Sequence, residues 1–329
     1  MEHPAVIQAG HTGSKSPRVD FVSKTSRVTD HTVNRRRILV ASGLLVAIMV
    51  ALAVGGGSGP LTVPKAIILG AVEGITEYLP VSSTGHLLVT QRLLNLGNGA
   101  GKTAADTYAI AIQLGAILAV VALYRRRIGQ IAQGLVGRDA EGRQLLIRLA
   151  AAFIPAALVG VAFDSKIKEH LFGPWPVIGA WAVGGVFLLI WRPHHGSNTL
   201  AELTVRSAFI IGLAQTLALW PGVSRSLVTL VAAIAVGCEI GAAVEFSFLL
   251  GLATLTAATV LDLAKDGKTL LDDYGWRTPL LGALVAFATA ILAVRWLVAY
   301  LRTKPLGNFG YYRILIAVIG AVLIATGAI

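Results

Sequence analysis

Charge is almost absent from long stretches of this chain, and that absence limits what it can fold into. Apolar runs lie near 38–54, 64–79, 86–96, 107–123, 145–163, 175–191, 207–220, 223–238, 242–261, 279–298 and 311–329. Only 14% of the 329 residues are charged and 55% are hydrophobic. A soluble domain carries about 25% charged residues, so the surface of this one must face lipid. The net charge of +11 does not indicate nucleic acid. The basic residues sit in short clusters between apolar runs, at Arg35–Arg37, Arg125–Arg127 and Arg302 with Lys304. That is how cytoplasmic anchors are distributed in a membrane protein. The single cysteine, Cys238, excludes an intramolecular disulfide and a cysteine metal cluster.

The expected fold is all-α: a polytopic membrane bundle with an inverted repeat and two re-entrant helix hairpins. Residues 1–37 are polar, basic and aperiodic, and read as a disordered cytoplasmic tail. Residues 38–60 read as an extra first span, since the polar lead is long for a signal peptide. Residues 61–329 form the membrane domain. Two adjacent pairs of runs are too short to cross about 30 Å of hydrocarbon. Each pair is interrupted at a proline, Pro80 or Pro221. Read as hairpins dipping into protein-lined space, they let every basic cluster fall on the cytoplasmic side. The acidic stretch Asp262, Asp266, Asp272 and Asp273 then becomes an outer surface loop. His194 and His195 read as solvated loop residues.

The two interrupted segments match without gaps. Gly70–Val89 and Gly212–Val231 share Gly70 with Gly212, Val81 with Val223, Ser82 with Ser224, Leu88 with Leu230 and Val89 with Val231. Glu73 is opposite Gln215, Tyr78 opposite Trp220, and Thr84 opposite Ser226. Entered from opposite faces, such segments place binding groups where the halves meet near the bilayer midplane.

Glu73 and Glu77 stand at i and i+4 in an apolar run, on one helix face. A carboxylate at membrane depth is costly and marks function by default, although a pair at a helix end is the plainer alternative. Two close carboxylates suit a divalent cation. After Pro80 come Ser82, Ser83, Thr84 and, one turn on, His86. Hydroxyls at a helix start are ordinary caps, yet the same N-terminus is also an anion site. Histidine is the usual proton carrier near neutral pH. After Pro221 come Ser224, Arg225 and Ser226, and arginine suits bidentate phosphate binding. Glu245 reads as a partner for Arg225 or as a cap of its own helix. Carboxylates, hydroxyls, an imidazole and a guanidinium at two helix starts fit phosphate-ester or anhydride chemistry on a lipid.

Glu73 to His86, read as EGITEYLPVSSTGH, closely resembles the first signature of the undecaprenyl-diphosphatase family of bacitracin-resistance type. Pro221–Ser226 resembles its second, and Glu245–Leu250 is similar as well. The resemblance implies hydrolysis of undecaprenyl diphosphate to the monophosphate at the periplasmic face of the bacterial inner membrane. It thus implies recycling of the carrier lipid for peptidoglycan and bacitracin resistance. It implies catalytic roles for Glu73, Glu77, Ser83, His86 and Arg225, with Ser83 attacking or positioning water and His86 carrying the proton. Substrate contacts fall to Ser82, Thr84, Ser224 and Ser226. A divalent cation, magnesium or calcium, falls to Glu73 and Glu77. The partners are then a prenyl diphosphate lipid and the membrane, with homo-oligomers left open. The family's Ser-Arg-Ser continues Gly-Ala-Thr; here Leu227 and Val228 precede Thr229. The acid-phosphatase-like lipid phosphatases need a histidine six residues after their arginine, where this chain has Val231. A lipid transporter is the rival from another class, because broken helices in inverted repeats are common in transporters.

Overall fold

A computed structural model of the chain describes residues 60–96, 101–193 and 196–327. The tail 1–37, nearly all of the first span 38–60, and His194 and His195 lie outside the described residues. The described part is α-helical, with no β-strand among those residues and one isolated bridge between Asn198 and Cys238. In order the helices are α1 (Val63–Thr76), α2 (Ser83–Leu93), α3 (Lys102–Ala111) and α4 (Gln113–Leu123). Then come α5 (Arg125–Leu135), α6 (Ala140–Leu171), α7 (Pro174–Ile190) and α8 (Val205–Gln215). A 3₁₀ turn over Thr216–Leu219 leads to α9 (Arg225–Ala235), α10 (Ile240–Tyr274), α11 (Arg277–Leu301) and α12 (Asn308–Ala325).

Among the described residues five segments are long and apolar enough to cross a membrane: Lys102–Leu123, Ala140–Ile167, Ile240–Tyr274, Arg277–Leu301 and Asn308–Ala325. α7, with 17 residues, is apolar but shorter. Many bulky side chains on the outside of the bundle are aliphatic, with Leu158, Val161, Val183, Ile190 and Leu292 all more than 60% exposed. Water would penalise that surface and lipid would not, so the chain is a multi-pass membrane protein.

The aspartates of 262–273 are not in a loop. α10 runs through them to Tyr274 and ends at Gly275, whose φ of 66° only glycine adopts readily. Leu263, Leu270 and Tyr274 repeat at helical spacing there and pack with Tyr108 and Ile112 of the α3–α4 region. That stripe carries the helix past its apolar run.

Apolar burial drives little association between helices in lipid, so close backbone approach matters more. α1 lies on α11 and α8 on α6. A Cβ added at Gly70 would sit 2.3 Å from the carbonyl oxygen of Gly282, and one at Gly212 would sit 2.3 Å from that of Ala152. These two glycines hold the same place in the ungapped match. α12 packs along α7, and α10 contacts α3, α4, α6 and α9.

The two helix breaks are alike in backbone. α2 starts after Ser82 with φ 74° and ψ 98°, and α9 after Ser224 with φ 76° and ψ 111°. Among the described residues only one other non-glycine, Asn95, has positive φ. That conformation costs a side-chain-bearing residue about 1–3 kcal/mol and is held only by its surroundings. The same conformation thus recurs at the two serines that the ungapped match pairs.

Candidate active site

The two breaks meet at Glu77. The last turn of α1 carries Glu73, and Glu77 follows the helix end, its N–H donating to the Glu73 carbonyl at 2.9 Å. The Ser83 hydroxyl, at the first residue of α2, donates to Glu77 Oε2. Arg225, at the first residue of α9, donates from Nη2 to Glu77 Oε1 at 3.1 Å. A single buried carboxylate thus holds a hydroxyl from one hairpin and a guanidinium from the other.

Arg225 is itself oriented. Its Nη1 donates to the Ser247 carbonyl on α10 at 3.0 Å, and its guanidinium lies 5.7 Å from the centre of the Tyr78 ring. A side chain at Gly251 would collide with it, a Cβ falling 2.0 Å from Nη1. Thr229 donates to the Arg225 carbonyl at 2.9 Å and shares a 2.6 Å hydrogen bond with the Ser247 hydroxyl. The Arg225 Nε is buried without a partner.

Ser224 and Ser226 support the turn. Ser224 accepts from the Leu227 N–H as the α9 cap and lies 3.0 Å from the Ser226 hydroxyl, which donates to the Leu79 carbonyl at 2.7 Å. These two hydroxyls join the second break to the first. Ser82 is buried and makes no side-chain cap bond, while Thr84 is half-buried on α2.

His86 is bonded to groups other than Ser83. Its Nδ1 lies 2.6 Å from the Ser82 carbonyl, which can only accept, so Nδ1 carries a proton. Nε2 lies 2.9 Å from the Tyr312 hydroxyl on α12, and the two rings stack at 5.8 Å. Trp181 flanks the imidazole at 5.1 Å. Among the described residues no hydrogen bond joins His86 to Ser83; the group that holds the serine hydroxyl is Glu77.

Glu73 is fully buried, with both carboxylate oxygens lacking a hydrogen-bond partner. Gln215, its match in the second hairpin, is also buried with both amide atoms unpartnered. No cluster of three or more His, Cys, Asp or Glu side chains suits a metal among the described residues. Two carboxylates still fit one divalent cation when substrate phosphates and waters complete the shell. The unpartnered oxygens of Glu73 would give such a cation a place to bind.

Glu245 does neither of the two things read from sequence. Its carboxylate takes the Arg127 Nε at 2.6 Å, tying α10 to α5. Arg127 ends an apolar run and Glu245 begins one, so one interface pairs them. Sequence reasoning also passed over Tyr312, Arg313, Trp181 and Ser247. Arg313 carried a signal, being an arginine inside the last apolar run. The others hide among ordinary span residues.

Residues 66–319 match the family described as bacitracin resistance protein BacA. The chain is 47% identical over 257 residues to an undecaprenyl-diphosphatase of Sorangium cellulosum (strain So ce56), covering 76% of this chain and 82% of that one. It is 41% identical over 269 residues to an undecaprenyl-diphosphatase of Rhodopseudomonas palustris (strain BisA53), covering 80% and 97%. It is 43% identical over 266 residues to undecaprenyl-diphosphatase 2 of Rhodospirillum rubrum, covering 80% and 94%. Both helix breaks and every residue that meets at Glu77 fall within the matched span, and the chain belongs to the bacitracin resistance protein BacA family.

Proposed function

We propose that this chain hydrolyses undecaprenyl diphosphate to undecaprenyl phosphate and inorganic phosphate. On this reading it works in the bacterial inner membrane, with its site open to the periplasmic face, and returns carrier lipid to peptidoglycan synthesis. The observation that carries the reading is the convergence of Ser83 and Arg225 on Glu77 across two helix breaks. The relatives' names supply the substrate.

In this reading the helix pairs α1–α2 and α8–α9 are re-entrant hairpins entering from opposite faces. The alike backbones at Ser82 and Ser224 and the alike glycine contacts support it. The terminal phosphate lies against the free Arg225 Nε and the N–H groups that open α2 and α9. Ser83 Oγ attacks the terminal phosphorus as its proton passes to Glu77. The anhydride P–O bond breaks and undecaprenyl phosphate leaves. Water then hydrolyses the phosphoserine, and Ser83 recovers its proton. A magnesium or calcium ion bound by Glu73 and Glu77 would neutralise charge on the phosphates. His86, fixed by Ser82 and Tyr312, orders the start of α2 and exchanges protons toward Tyr312.

The test is phosphate release from C55 isoprenyl diphosphate in detergent, for wild type, Glu77→Gln and Arg225→Ala, with and without chelator. Cation-dependent release lost in both variants supports the reading. Folded wild type that releases no phosphate but moves the lipid across vesicles refutes it in favour of a carrier. For the nucleophile, labelled phosphate trapped on Ser83 supports the covalent route, and direct single-turnover oxygen transfer from water refutes it.

A further inference from the structure

Arg313 is completely buried on α12, and among its hydrogen bonds none goes to a carboxylate. A guanidinium taken out of water without a counter-charge is costly and needs hydrogen-bond acceptors. Its terminal nitrogens find three backbone carbonyls: Nη1 that of Pro80 at 3.3 Å, Nη2 those of Gly222 at 2.8 Å and Ala180 at 2.9 Å, while Nε is buried without a partner. Pro80 and Gly222 hold the same place in the ungapped match of the two hairpins, each two residues before its left-handed serine. Arg313 therefore sits where the tips meet, bonded to both.

The surroundings are fitted to that role. Trp181, next to Ala180 on α7, donates to the Val81 carbonyl at 3.1 Å, and Ser226 donates to that of Leu79. Three successive carbonyls of the first break, at 79, 80 and 81, are thus each taken by a side chain from a different helix. α7 leaves room for the guanidinium at Gly184, where a Cβ would fall 2.4 Å from Nη2. Arg148 offers a contrast. It too is buried and donates to loop carbonyls, of Leu200 at 3.1 Å and Ala201 at 2.9 Å, but it touches neither break.

We propose that Arg313 is a positioning residue for the reaction: by bonding both tip carbonyls it sets the separation of the hairpins and so brings Ser83 and Arg225 together on Glu77. It touches no substrate and acts through Pro80 and Gly222. The kinetic part rests on the phosphatase reading above; the geometric part does not. A lysine keeps the charge but lacks the planar fork that spans carbonyls of separate segments.

The test compares Arg313→Lys, Arg313→Met and Gly184→Ala with Arg148→Lys, Arg148→Met and Gly179→Ala in the full-length chain. Gly179 shares α7 with Gly184 and has nothing within 4 Å of an added Cβ. kcat and KM are measured per folded molecule. Spin labels at the exposed Ile75 and Leu217, in a Cys238→Ser background, report the hairpin separation. Misplacing reacting groups by about 1 Å costs on the order of 100-fold, so the Arg313 variants and Gly184→Ala should lose about 10- to 100-fold in kcat. KM should move little, and the label distance should shift or broaden. The Arg148 variants and Gly179→Ala should lower thermal stability at most. Wild-type kcat in folded Arg313 variants, or an equal loss in the Arg148 variants, overturns the proposal. So does failure of both Arg313 variants to fold when the Arg148 variants do, since Arg313 would then be a folding residue. If wild type releases no phosphate, the phosphatase reading fails and the label distance alone decides: unchanged separation in Arg313→Lys or Gly184→Ala overturns the clamp.

Discussion

Arg225 reaches Glu77 from 148 residues away, and their 3.1 Å ion pair is formed by side chains that are 11% and 5% exposed. It is also the contact that makes one site of two helix breaks. Removing one partner of a buried pair strands the other charge, a loss of about 3–5 kcal/mol, whereas removing both is milder. The double variant Glu77→Gln/Arg225→Met should therefore unfold at a higher temperature than Arg225→Met alone. Thermal scans in detergent read this, and additive losses would mean the pair is not coupled.

Ser83 and Ser226 are both hydroxyls at helix starts, yet they should answer differently to alanine. Ser83 donates to Glu77, the base in the mechanism proposed above, so Ser83→Ala should lower kcat by at least about 100-fold. Ser226 donates to a backbone carbonyl, so Ser226→Ala should cost about 1 kcal/mol of stability with a smaller kinetic effect. Single-turnover phosphate release and thermal unfolding on the same preparations separate the two.

Glu73 predicts an inverse relation between stability and activity. A buried carboxylate without a partner destabilises the chain when no cation is present. Glu73→Gln should melt higher than wild type in chelator yet lose cation-dependent phosphate release. Wild type should gain about 2.7 kcal/mol at a cation concentration 100 times its dissociation constant, and Glu73→Gln should gain little. Equal melting shifts on adding magnesium or calcium would exclude Glu73 as a ligand.

Packing of α1 on α11 gives a prediction independent of the chemistry. A Cβ at Gly74 would fall 2.1 Å from the Thr289 hydroxyl and 2.3 Å from the Ala286 carbonyl. Overpacking of this kind costs about 1–3 kcal/mol or more. At Gly129 on α5 nothing lies within 4 Å, and alanine there should be neutral or add about 0.5–1 kcal/mol of helix stability. Monodispersity and melting temperature of Gly74→Ala against Gly129→Ala check it.

The carboxylates were legible in the sequence because charge inside an apolar run has few innocent explanations. Helix starts at Ser83 and Arg225 were legible because a proline followed by hydroxyls breaks and then restarts a helix. The partners were less so. Ser83 could be placed beside Glu77 in sequence, but the choice of Glu77 over His86 to hold its proton depends on how α2 turns after Ser82. That turn rests on a left-handed φ that serine seldom adopts. Arg313 bonds only to backbone, and backbone carbonyls look alike in any sequence. Sequence leaves Glu245 open between Arg225 and a cap of its own helix, because Arg127 comes to it from α5, 118 residues away in the chain. The aspartates after Leu261 were read as a loop because their charge masked the leucine stripe that keeps α10 helical.

The division of the site between two hairpins also has a consequence in time. Glu73 and Glu77 leave the ribosome long before the arginine that faces them. At about 5–20 residues per second, the 148 residues to Arg225 take roughly 7–30 s to make. Through that interval Glu77 lacks the Arg225 guanidinium that pairs with it in the fold, and a carboxylate left ionised at hydrocarbon depth is costly. If the first hairpin dips into the membrane as proposed above, it would wait near the water interface until its second half arrives. Its assembly is therefore late, and a ribosome stalled before Arg225 would leave a hairpin open to quality-control proteases.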